Sequence, residues 1–353
     1  MKDTSIAEFL INWYTINKRD LPWRHAKNPY IIWISEIILQ QTRVVQGMPY
    51  FYRFTEQFPD VYALANADQK DVLKCWEGLG YYSRARNMQF TAKFIVENLD
   101  GIFPQDFDSL LKLKGIGNYT AAAIASFAFG EKVAVLDGNV MRVLARLFDF
   151  EGDINDEKNK KILRGIANEL IPANKPAEFN QAIMEFGALH CVPANPKCGE
   201  CVLAHICLGF KNKKQHVLPY KSKKLKVKTR YFNYLVLRDE NENFYIKRRE
   251  KGDIWQGLHD FALVETTQEE TNIEAMAQKL GLKNFRLVAE TQPAKHILTH
   301  QLIYAKFWTL EIPETTAIRL VDNSELMKCN LDELKALPKP ILIKNFLDKY
   351  FIS

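Results

Sequence analysis

Cys191, Cys198, Cys201 and Cys207 fall close together, spaced C-x6-C-x2-C-x5-C. Thiolates this near in sequence can converge on one inorganic centre. The spacing is wider than the paired C-x2-C knuckles of structural zinc sites. It suits a cubane [4Fe-4S] cluster held by four thiolates in a compact loop. Zinc and two disulfides are the alternatives. Cys75 and Cys329 stand alone, so no secreted disulfide framework is indicated.

Two carboxylates could do acid–base work. Glu36 lies inside the apolar run Ile31-Ile-Trp-Ile-Ser-Glu-Ile-Ile-Leu39. Burying an ionised carboxylate is costly, so its pKa should rise. An acid still protonated near neutral pH can protonate a leaving group. The alternative is a narrow polar stripe shared with Ser35 or Gln40. Asp137 follows an apolar, strand-like run (133–136) and precedes an apolar helix. It is either a helix N-cap or a catalytic carboxylate. Between the two acids lies Leu113-Lys-Gly-Ile-Gly-Asn-Tyr-Thr120. There Gly115 and Gly117 allow a sharp turn whose exposed amides, with the following helix N-terminus, favour a phosphate. Such a grip positions a nucleic acid without reading its bases; an ordinary inter-helix turn is the alternative.

The elements that must position these groups divide in two. Before residue 210 the apolar spacing is helical over 6–14, 30–45, 51–58, 70–79, 84–99 and 119–129, among roughly ten short-linked helices. After Arg230 the texture changes. Residues 231–237 and 244–249 read as a β-hairpin around the polar turn 238–243. A helix is expected at 269–280, strands at 285–291 and 302–310, and a closing helix at 339–350. The domains are therefore placed at 1–211, with the cysteine loop at 191–207, and at 230–353. A basic linker spans 212–229 between them. Residues 211–230 hold nine Lys or Arg and no Asp or Glu, against a net charge of +6 for the 353 residues, so the remainder is net acidic. That concentration suits a crossing of a phosphate backbone, or simply a solvated linker. No stretch is apolar enough to span a bilayer and MKDTSIAEFL has no signal-peptide layout, so a soluble protein in a reducing compartment, cytoplasmic if bacterial, is expected.

Glycine turn, Asp137 some twenty residues later and the cysteine loop together resemble the endonuclease III superfamily of helix-hairpin-helix DNA glycosylases. Within it, L-P-W-R (21–24), W-I-S-E-I-I-L-Q-Q-T (33–42), W-E-G-L-G-Y-Y-S-R-A-R-N (76–87) and D-G-N-V (137–140) are similar to the MutY family of adenine DNA glycosylases. The resemblance implies an all-α glycosylase domain with a [4Fe-4S] cluster loop, followed by an α+β MutT/Nudix-like domain. It implies hydrolytic release of adenine mispaired with 8-oxoguanine or guanine in double-stranded DNA, by a monomer without membrane contact. Glu36 would protonate the base and Asp137 would stabilise the sugar cation, with Tyr119 and Asn139 orienting them. Trp23, Arg24, Gln181 and Glu185 would lie near the adenine pocket. Gln41 and Tyr81 would enter the base stack, with Leu39 beside them. Tyr119 stands where bifunctional relatives carry a lysine, so no imine and no strand cleavage are expected. The stretch Glu265–Gly281 lacks the R-E-x-x-E-E order of a working Nudix site, so no pyrophosphatase activity is expected. The lesion-reading F-S-H loop corresponds to Leu298, Thr299 and His300, with Leu in place of the aromatic residue. Two other readings remain open: a sister glycosylase acting on mismatched thymine or oxidised pyrimidine, and a non-catalytic lesion-binding module.

Overall fold

Proline and short polar caps set the helix starts around the candidate residues. Asn28 accepts a hydrogen bond from the Tyr30 amide and Pro29 takes the first helical position, beginning a helix at Pro29 that runs to Leu39. Asp106 caps the helix Phe107–Leu111 in the same way, through the Ser109 amide. Asp137 caps Gly138–Leu147 through the Val140 amide at 2.7 Å.

The computed structural model describes residues 4–222, 227–316 and 326–352; the linker residues 223–226 lie outside these. Twelve α-helices precede the first strand among the described residues: α1 (Thr4–Asn17), α2 (Pro29–Leu39), α3 (Val44–Gln57), α4 (Val61–Asn66), α5 (Gln69–Cys75), α6 (Ser83–Leu99), α7 (Phe107–Leu111), α8 (Asn118–Phe129), α9 (Gly138–Leu147), α10 (Glu157–Leu170), α11 (Pro176–Leu189) and α12 (Leu208–Lys211). No described helix is long and apolar enough to cross a membrane. The continuous helix expected from Tyr30 to Val45 is two helices. The chain breaks after Leu39, and Gln41 takes a left-handed backbone conformation with φ 58°. The strand-like run before Asp137 joins no sheet among the described residues. Side chains replace the sheet partners: Asn168 accepts from the Ala134 amide at 2.8 Å and Asn180 from the Val135 amide at 3.1 Å.

The chain divides into two compact units. One comprises Met1–Asn66 with Asn87–Lys223, the other Ala67–Arg86 with Lys224–Ser353. In the first, α1, α9, α10 and α11 bury Leu10, Val140, Leu144, Leu163, Phe179 and Phe186 around one core. The second is a mixed sheet with strands β1 (Lys228–Arg238), β2 (Phe244–Arg248), β3 (His259–Thr266), β4 (Arg286–Glu290), β5 (Ala294–Ile297), β6 (Gln301–Glu311) and β7 (Met327–Cys329). Their order is β4-β6-β1-β3-β2-β7, with β5 also on β6; β1 and β6 run parallel and the other pairs antiparallel. Alternation along β1 sends Phe232, Tyr234 and Val236 to one face and Leu235 and Leu237 to the other. Helices α14 (Leu331–Ala336) and α15 (Ile341–Tyr350) cover the first face and α13 (Ile273–Lys279) the second.

One expectation for this unit is corrected. The 231–249 hairpin pairs only at its tip, Leu237 with Tyr245 and Arg238 with Phe244, because the unanticipated β3 takes the rest of both ladders. The segment 67–86, expected with the helical part, packs on the C-terminal unit. Its Lys74 ammonium donates to the Lys335 carbonyl, Arg86 donates to Gln256, and Glu77 accepts from the Lys339 amide. The basic run 211–230 is also less free than its composition implies. Lys214 pairs with Asp149 and Glu151, while buried Arg230 lies between Asp253 and Glu265 in the sheet unit.

Candidate active site

Helix α2 is apolar almost all round, which places Glu36 among Ile32, Trp33, Ile37 and Ile38, only 5% exposed. No polar stripe accompanies it, since Ser35 is buried and turns back to the Ile32 carbonyl. Burial pushes Glu36 up to about 7; the Tyr119 hydroxyl, which donates to its Oε2, and the Arg24 charge act against this, and the Asp137 charge adds to it. Asp137 arrives from the start of α9. Burial raises its pKa too, and this wins, but four groups favour the ionised form. They are the Val140 amide at 2.7 Å, the Asn139 side-chain amide at 2.8 Å, the Asn139 backbone amide and the nearby Arg142. N-cap and candidate catalyst are therefore one residue, and the helix N-terminus supports its charge.

Both acids face one cleft of about 620 Å³, with Tyr119, Asn139, Trp23, Arg24, Gln181, Glu185 and Leu39 also on its walls. Glu185 is fixed on α11. Burial would raise its pKa, yet the Arg19 and Arg24 side chains and the Arg19 amide hold it at about 2. It is thus a permanent anion that locks the L-P-W-R segment to α11. Gln181 accepts from the Tyr14 hydroxyl, and Trp23 packs edge-on against Phe51 with ring centroids 5.1 Å apart.

Three supporting residues escaped the sequence reading. Arg19 pairs with a residue 166 positions away, which no local pattern reveals. Arg142 donates to Asn139 Oδ1 at 2.9 Å, to the Gly187 carbonyl at 2.8 Å and to the Cys191 carbonyl at 2.7 Å. Its i+3 spacing from Asn139 on α9 was a usable signal. Gly187 meets α9 so closely that a Cβ would lie 2.7 Å from that of Asn139.

The α7–α8 hairpin exposes its turn while Leu113 and Ile116 anchor it. Gly115 has φ +81°, and a Cβ there would meet Asn87 at 2.7 Å. Gly117 is different: its backbone is extended (φ −96°), it caps α8, and nothing lies beside it. Only Gly115 is required by the turn; Gly117 leaves open space at the helix N-terminus. Lys114 lies over the Phe90 ring, 4.2 Å from its centroid. Gln41 is exposed at the left-handed break after α2.

In the sheet unit, Tyr81 is 45% exposed with φ 47°, and its hydroxyl meets the Thr299 hydroxyl. Thr299 and His300 are exposed in the tight turn between β5 and β6, which the Leu298 amide closes on the Gln301 carbonyl at 2.8 Å. Leu298 packs against the core under α14 and α15.

Cys191, Cys198, Cys201 and Cys207 all line one small cavity beneath α9 and α11. Among the described residues no three His, Cys, Asp or Glu form a group suited to a single metal ion. The four thiols share the lining of this one space, as ligands of a common centre must. Burial pushes Cys201 up to about 11, and the other three sulfur charges add to this, so several thiolates coexist here only with a cationic centre. Arg146 lies 3.3 Å from Cys191 Sγ and also holds the Val192 and Pro193 carbonyls.

Comparison with known proteins accords with this layout. Residues 34–169 match the model of the HhH-GPD superfamily of base excision DNA repair proteins, and residues 233–349 match a NUDIX domain. An adenine DNA glycosylase of Buchnera aphidicola subsp. Acyrthosiphon pisum is 33% identical over 98% of this chain and 98% of its own. The human adenine DNA glycosylase is 39% identical over 61% of this chain and 41% of its own length. A thermostable thymine-DNA glycosylase superposes with a TM-score of 0.55 at 29% identity, over 60% of this chain and 97% of that one. Endonuclease III in a non-covalent DNA complex gives 0.52 at 23% identity, over 60% and 98%, a likeness of fold.

Proposed function

The chain belongs to the adenine DNA glycosylase family of base excision repair, and from that premise we propose that it hydrolyses the N-glycosidic bond of adenine mispaired with 8-oxoguanine or guanine, leaving an abasic site. The observation that carries this is the pair of acids on one cleft, Glu36 raised to about 7 and Asp137 held by anion-favouring donors. Bond cleavage builds negative charge on the departing base and positive charge on the sugar. Glu36, about half protonated near neutral pH, gives its proton to adenine N7 and then helps activate water. Asp137 faces the sugar and offsets its developing charge, the division of labour of two-carboxylate glycoside hydrolysis. Tyr119 fixes the Glu36 carboxyl and Asn139 the Asp137 carboxyl.

Tyr119 offers no amine, so the reaction stops at base release. Adenine must leave the duplex to reach the cleft, at a cost of a few kcal/mol. Gln41 enters the emptied stack with Leu39 beside it, and Trp23, Arg24, Gln181 and Glu185 bound the adenine. The amides of the Gly115–Gly117 turn take a backbone phosphate. Leu298 is half-buried against the core, and the exposed Thr299, His300 and Tyr81 read 8-oxoguanine. The four cysteines hold a [4Fe-4S] cluster, whose contribution is to fix the loop that carries them. The protein acts as a monomer.

Single-turnover release of adenine from an A:8-oxoguanine duplex tests the reading, with A:G and T:G duplexes alongside. Release of adenine, with strand scission only after alkali, is expected. Preferential release of thymine from T:G would move the chain to a sister specificity. Unchanged background turnover in Glu36→Gln and Asp137→Asn would reduce it to a binding module.

A further inference from the structure

Two buried polar atoms on the cysteine cavity lack a well-formed partner. His190 Nε2 and Gln215 Oε1 are both closed to solvent and without a hydrogen bond of normal geometry, the Lys197 carbonyl being a polar neighbour of the imidazole, and both residues line the wall that carries the four thiols. Leaving a buried polar atom unpaired costs on the order of 1–3 kcal/mol. Two such atoms on one cavity call for a polar occupant. The His190 ring is held in place, stacked on Phe186 with centroids 5.0 Å apart and edge-on to Trp13 at 6.0 Å, which restrains it from swinging out to water. Gln215 comes from a separate segment, beyond α12.

We infer that His190 and Gln215 donate hydrogen bonds to the sulfur atoms of the iron–sulfur cluster and hold its reduction potential up. This rests on the cluster proposed above. An imidazole protonated at Nε2 is a donor, and a half-turn of the Gln215 amide puts its NH2 where the oxygen stands. Sulfide and thiolate sulfurs are electron-rich acceptors, and Arg146 already approaches Cys191 Sγ at 3.3 Å. N–H···S bonds favour the oxidation state with the greater negative charge, which raises the potential.

The test uses the full chain without substrate. Iron and acid-labile sulfide are counted first, and the cluster couple is then followed by voltammetry. His190→Phe keeps the ring packing and removes the donor; Gln215→Leu removes the other. Each variant should keep its iron and shift to more negative potential. A tenfold change in the one-electron equilibrium corresponds to about 59 mV. His190→Gln, which restores a donor, should recover part of the shift. Full iron with wild-type potentials in both variants overturns the inference and leaves the cluster standing. Absence of iron and sulfide from the wild type overturns the cluster itself. Should His190→Phe fail to fold, Gln215→Leu decides, together with pulsed EPR of the wild type labelled with imidazole-15N histidine. Nitrogen coupling to the cluster supports the inference, and its absence sinks it.

Discussion

A carboxyl on an apolar helix is held protonated at a cost to the fold. The Glu36 pKa rises from 4.5 to about 7, so the folded state binds more protons than the unfolded chain between those values. Stability therefore falls as pH rises through that window, by on the order of 3 kcal/mol in all. Glu36→Gln should remove this loss: its melting temperature should exceed that of the wild type at pH 8 and approach it near pH 4.5. On the proposed mechanism the same group sets the alkaline limit of activity. Single-turnover adenine release should decline above about pH 7, as the proton donor is lost. Tyr119 donates to the ionised form and so lowers the Glu36 pKa. Tyr119→Phe should move that alkaline limb to higher pH. An unshifted limb would mean that Glu36 is not the titrating acid.

Hairpin and helix pairs depend on close approach, and the two glycines of one turn separate two requirements. Gly115→Ala forces a Cβ into both a left-handed backbone and Asn87; the backbone alone costs about 1–2 kcal/mol, so a lower melting temperature is expected. Gly117→Ala meets neither obstacle. It should melt like the wild type but bind duplex DNA more weakly, because the methyl narrows the amide-lined turn. Equal DNA affinity in that variant would remove the phosphate role from the α8 N-terminus. At the α9–α11 contact, Gly187→Ala pushes on Asn139, which orients Asp137. A lower rate of adenine release with intact duplex binding is expected there, read by single-turnover kinetics and gel shift.

Across the molecule, the unit that ends the chain reaches back for residues 67–86. A chain ending at residue 222 strips Lys74, Glu77 and Arg86 of their partners at Lys335, Lys339 and Gln256. Limited proteolysis of that shortened chain should cut within 67–86, where the full chain resists. Equal resistance in both would show that the segment needs no C-terminal support. The cysteine loop ties in at the same scale, since Arg142 and Arg146 on α9 both hold its backbone. Cys198→Ser is expected to lose iron by chemical assay.

Much of the chemistry was readable without coordinates because it depends on residue type and short spacing. The cysteine ladder, the glycine turn, an acid inside an apolar helix and a cap before α9 are all local. The helical first part and the sheet-forming second part followed from periodicity, which reports burial along a single element. Tertiary structure decided what depends on distant partners. It brought Glu36 and Asp137 to one cleft and locked Glu185 with two arginines. It slid β3 between β1 and β2, and gave 67–86 to the C-terminal unit. None of these leaves a periodic trace, because contact energy between remote segments constrains each partner at one or two positions only.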